Sequence, residues 1–81
     1  MDQQAVDEVN RKLAILAAKH GFAATARKAP RSQSHLVFDA FRWREQGIWN
    51  YCTSYPESEL ASMGSIAIAN RFVEEARAEL T

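Results

Sequence analysis

Residues 35–55 read HLVFDAFRWREQGIWNYCTSY and hold six of the eight aromatic residues of the chain. These are Phe38, Phe41, Trp43, Trp49, Tyr51 and Tyr55. Aromatic and β-branched side chains suit a pleated, half-buried surface. The polar interruption Arg44, Glu45, Gln46, Gly47 has turn composition, and a glycine there can take a positive φ. The stretch predicts a β-hairpin, and alternation sorts its faces. With Trp43 opposite Ile48, one face carries Leu36, Phe38, Ala40, Arg42, Trp49, Tyr51, Thr53 and Tyr55. The other carries Val37, Asp39, Phe41, Trp43, Ile48, Asn50, Cys52 and Ser54. The first is the expected core side, with Trp49 and Tyr51 largely buried under Leu13, Leu16 and Val73. The second is mixed, and its apolar residues gather near the turn.

Working outward toward the N-terminus, residues 29–34 are polar and turn-rich. Before them Phe22, Ala24 and Ala26 alternate with Ala23, Thr25 and Arg27, which predicts a strand over 22–28. Gly21 follows a helical pattern over residues 3–20, where Val6, Val9, Leu13 and Leu16 share one face. Toward the C-terminus, Ser54 and Glu57 have capping-box spacing and predict a helical start near residue 56. Gly64 is expected to break that helix. The second piece runs to about residue 80, with an apolar stripe of Ile66, Ala69, Val73, Ala76 and Leu80. Arg71 and Glu75 form a pair one turn apart, and Glu74 and Glu75 read as surface charge.

The element order is α-β-β-β-α. Short connections make the three strands antiparallel neighbours, and the helices cover one face of the sheet. The expected fold class is α+β, a two-layer domain with one open sheet face. Eighty-one residues allow a single small domain, residues 1–81.

The chain has ten basic and ten acidic residues and no net charge, unlike a generic DNA-coating protein. The charge is unevenly spread. Residues 1–44 hold eight Lys or Arg against four acidic residues, and residues 45–81 hold two against six. The basic half could face a phosphate backbone. Cys52 is the only cysteine and reads as a buried, inert thiol. No Cys/His group has zinc spacing, and no cofactor or metal is implied. The acidic N-terminus is unlike a signal peptide, and no apolar run approaches ~20 residues. A soluble, cytoplasmic protein with no membrane partner is expected.

Several short matches carry a resemblance. Gly21-Phe22 ends the first helix, Ser34-His35 opens the second strand, and Glu59-Leu60 with Gly64-Ser65-Ile66 opens the last helix. In these places the chain resembles the HicA-type toxins, small ribonucleases that share the fold of double-stranded-RNA-binding domains. The chain departs from that pattern at Gln33, where the family has glycine, and at Leu36, where a second histidine is common. It also has one extra residue, Met63. The resemblance implies an RNA-binding function with His35 as the catalytic residue.

Histidine suits proton transfer at the 2′-hydroxyl because it titrates near neutrality. Arg27, Lys28 and Arg31 are the candidate nucleic-acid contacts beside it. A second class fits as well: a protein-binding module without catalysis, such as a small phage- or plasmid-encoded inhibitor of the anti-CRISPR kind. For that class Phe41, Arg42, Trp43 and Arg44 are the candidate interface, since aromatics and arginine make efficient anchors. A homodimer through the open sheet face is a third possibility. The sequence favours RNA binding slightly.

Overall fold

The structure is a computed structural model that describes residues 3–31 and 34–80. Its elements are α1 (Gln3–Ala18), β1 (Ala23–Lys28), β2 (His35–Arg44), β3 (Gly47–Pro56), α2 (Glu57–Met63) and α3 (Ser65–Leu80). The three strands form one antiparallel sheet in the order β1-β2-β3, with β2 central. Trp43 lies opposite Ile48, as the alternation predicts. Arg44 pairs with Gly47 too, so only Glu45 and Gln46 span the turn. Gly47 has φ 129°, a conformation that side-chain-bearing residues rarely adopt.

One face of the sheet is the core. Ala24 and Ala26 of β1, Leu36, Phe38 and Ala40 of β2, and Tyr55 of β3 are buried there. Above them pack Val6, Val9, Leu13 and Ala17 of α1, and Ile68, Ala69, Phe72, Val73 and Ala76 of α3. Phe38 is the centre, with ring centroids 5.1 Å from Tyr55 and 5.2 Å from Phe72. This burial is the main drive for folding a chain of this size.

Three local expectations are corrected. Trp49 and Tyr51 are on the core side but only half-buried, because β3 is the outer strand and the helices leave its rim open. The Ser54–Glu57 capping box does not form. Ser54 stays in the ladder opposite Val37, and the strand runs on until Pro56 becomes the N-cap. The Glu57 N–H goes to the Ser34 carbonyl at 2.7 Å, so a strand end takes the donor that the box would have used. Ile66 is exposed, and Ile68 and Phe72 supply the stripe on α3 instead. Ile66 sits in the first turn after Gly64, which ends α2 at φ 88° and redirects the chain.

One contact ties the layers together at the other edge of the sheet. Asn10 on α1 donates from Nδ2 to the Ala26 carbonyl at 2.9 Å. Its Oδ1 accepts from the Ala26 N–H at 2.8 Å. The side-chain amide thus pairs with β1 as one peptide unit of a fourth strand would.

Candidate functional site: the open sheet face

Alternation and register place five cross-strand rows on the uncovered face. From one end they are His35–Pro56, then Arg27–Val37–Ser54, Thr25–Asp39–Cys52, Ala23–Phe41–Asn50, and Trp43–Ile48 at the hairpin end. The face therefore has a polar end and an aromatic end.

At the aromatic end Trp43 is 75% exposed, Ile48 56% and Phe41 38%. A shallow groove of about 390 Å³ runs from this cluster to the α1–β1 junction, lined by Ala18, Gly21, Phe22, Phe41, Arg42 and Trp43. Large apolar side chains grouped on an uncovered surface mark interaction sites more often than scattered ones do. The arginines that flank Trp43 in sequence do not share its face. Arg42 lies opposite Trp49 on the helix side of the sheet. Arg44 donates from Nη2 to the Leu80 carbonyl at 3.0 Å, at the C-terminal end of α3 where positive charge is favoured.

At the polar end Arg27 and His35 share the face. Arg27 Nη1 lies 3.4 Å from Asp39 Oδ2, so a neighbouring carboxylate offsets its charge. His35 Nδ1 lies 3.1 Å from Ser34 Oγ. Lys28 is opposite Leu36, on the helix-side parity, and Arg31 is in the turn after β1. Of the eight residues singled out from sequence, four come together on the open face: Arg27, His35, Phe41 and Trp43.

Cys52 is exposed on this face, not buried. Its position in the register gives the reason, since no helix covers this side. Desolvation of the sulfur, a hydrogen bond to Asp39 and the charge of that carboxylate all push the thiol pKa up. The group is a protonated thiol with little nucleophilic character at neutral pH.

Glu75 also departs from its sequence reading as surface charge. It accepts from the Tyr55 hydroxyl at 2.7 Å and from the Tyr51 hydroxyl at 3.4 Å. Arg71 sits 3.5 Å from Glu75 and 2.6 Å from Glu59, with its guanidinium 4.8 Å above the Tyr55 ring. Burial, then the Glu75 hydrogen bond and charge, push the Tyr55 hydroxyl pKa well above the usual tyrosine range. The cluster fastens β3 to α2 and α3 and does not reach the open face. The Arg71–Glu75 pair expected from the sequence is part of this cluster, and Tyr51 and Tyr55 recurring four apart on one strand face is the signal for the rest of it.

A groove of about 560 Å³ lies between α1 and α2, with Glu8 and Glu57 among its lining residues. Its carboxylates repel phosphate. Among the described residues there is no group of three or more His, Cys, Asp or Glu side chains placed to hold a metal ion. No helix among them is long and apolar enough to cross a membrane. Comparisons with protein-family models, curated proteins and solved structures gave no significant match for this chain.

Proposed function

We propose that this chain is a protein-binding module that docks a partner through the aromatic end of its open sheet face. The observation that carries the reading is the exposure of Trp43 beside Phe41 and Ile48 on a surface that no helix covers. Away from that end the large apolar side chains stop: Thr25, Asn50, Ser54 and the Arg27–Asp39 pair make most of the face polar, with Ala23, Val37 and Pro56 between them. An apolar anchor with an uncharged or paired rim suits a protein surface better than a phosphate backbone. A small inhibitor of a larger complex would need no more than this. Wild-type protein should retain a partner from a lysate of its source cells through a high-salt wash. Trp43→Ala should lose that partner while keeping its unfolding midpoint. An unchanged partner set with Trp43→Ala rejects the aromatic end as the contact.

A second reading is supported by the polar end. His35 beside Ser34, with Arg27 on the same face, is the arrangement that a HicA-like ribonuclease or RNA-binding module would use. Phe41 and Trp43, two apart on the central strand, could then stack bases. Lys28, at the end of β1, and Arg31, in the turn after it, would contribute charge. This reading expects nucleic acid to co-purify at low salt and leave on a high-salt wash, with absorbance at 260 nm falling relative to 280 nm. For the nuclease, His35→Ala should abolish RNA degradation without changing binding. Intact RNA after incubation with wild-type protein across pH 6–8 removes the nuclease.

A further inference from the structure

The two outer edges of the sheet are unequal. The β1 edge is guarded. The strand spans six residues, carries Arg27 and Lys28, and has the Asn10 amide bound to the N–H and carbonyl of Ala26. The β3 edge has no such device. The strand spans ten residues and pairs with β2 along its whole length without a bulge, and among the described residues no further strand is hydrogen-bonded beyond it. From Ile48 to Tyr55 it contains no charged residue and no proline, while Trp49, Tyr51 and Tyr55 supply aromatic area. Edge strands of soluble proteins are normally blunted by charge, proline, bulges or a covering element, because free backbone groups recruit another strand.

We infer that β3 pairs antiparallel with β3 of a second copy of this chain, joining two sheets into one of six strands. Three observations favour a second copy as the occupant. A strand without charge places no like charges opposite one another when it meets itself across a two-fold axis. The chain as a whole has no net charge, so two copies approach without long-range repulsion. The half-exposed rings of Trp49 and Tyr51 stand at the same edge and give the pairing apolar area to bury. Because the β1 edge is short, charged and capped at Ala26 by Asn10, the assembly stops at two copies and does not grow into a fibre. Register follows from the pleat. Both copies turn their open faces the same way only if residues of like parity meet, so a centred pairing sets Cys52 opposite Asn50 or Cys52 of the other copy.

The test is oligomeric state by sedimentation equilibrium over a wide concentration range. Wild-type protein should move from one copy to two and no further. The double variant Asn50→Lys with Cys52→Lys puts lysines opposite lysines in either register and should remain a single copy. Circular dichroism and thermal unfolding check that it folds. Should it not fold, Cys52→Lys alone serves, with Asp39 across the hairpin to support its folding: the two lysines are directly opposite in one register and diagonal neighbours in the other. Trp43→Ala should still dimerise, which separates this edge from the open-face contact proposed above. A wild-type protein that stays single, a dimer that survives the lysines, a dimer lost in Trp43→Ala, or open-ended growth would each overturn the inference.

Discussion

Trp43 and Trp49 stand one row apart on the same hairpin, and they live in different surroundings. Trp49 leans its ring against Phe22, centroids 5.9 Å apart and edge to face, and is half-buried. Trp43 is 75% exposed. Both belong to one hairpin and are of one chemical type, so neither composition nor propensity separates them. The pleat does. One parity faces α1 and α3, and the other faces outward. A slip of one residue of β3 against β2 would turn the Trp49 ring outward, onto the same face as Trp43. Register thus decides which aromatic residues stabilise the fold and which are left for a partner.

That contrast can be broken or sharpened by substitution. The largest effect belongs to the centre of the covered face. Phe38→Ala or Phe72→Ala should each cost about 3–5 kcal/mol, because both rings are wholly buried. A chemical denaturation midpoint close to wild type for either would contradict the assigned core. Trp49→Ala should cost about 2 kcal/mol, less than a buried aromatic, since only part of its ring leaves water. A loss as large as that of Phe38→Ala would mean that the rim of β3 is closed in solution.

Tyr55→Phe keeps the ring and deletes the hydroxyl bonded to Glu75, so its cost should be about 1 kcal/mol. The same group gives a pH signature. Folding raises its pKa above the ordinary value of about 10, so the protonated hydroxyl is the form that the fold favours. Its contribution is complete below that pH and is lost as pH climbs above it toward the folded-state value. Tyr51, shifted the same way by burial and by Glu75, adds to the slope. Unfolding midpoints measured from pH 9 upward should fall less steeply in Tyr55→Phe than in wild type. Equal slopes would detach the Tyr55–Glu75 bond from stability. Trp43→Ala should change stability least, by no more than about 0.5 kcal/mol. A larger loss would show that the open face is covered.

Much of this arrangement was legible in the sequence because it rests on period alone. Alternation through Leu36, Phe38 and Ala40 identified the covered face. The turn at Gly47 fixed the register, and Gly21 and Gly64 marked two helix ends. What escaped depends on how far apart in the chain the partners lie. Glu75 looked like surface charge because its two tyrosine partners are 20 and 24 residues away. Ser54 and Glu57 had the spacing of a cap, but the ladder opposite Val37 and the Ser34 carbonyl claimed the backbone first. Cys52 was assigned to the interior by its residue type, whereas parity put it outside. For the candidate site, alternation had already put Arg42 on the covered parity and Trp43 on the open one, yet the expected interface grouped Arg42 and Arg44 with Trp43 by sequence proximity. Arg42 and Arg44 fall on the other face of the pleat.

The Asn10 amide has a consequence for exchange with solvent. Within β1 the Ala26 N–H is held by a side chain on α1. Its deuterium uptake therefore follows the lifting of that helix from the sheet. Neighbouring N–H groups bonded across to β2 follow the opening of the sheet itself. Two amides in one short strand would then report two different motions, and their rates need not agree. If Ala26 exchanges no faster than its ladder-bonded neighbours, α1 and the sheet open only as one unit.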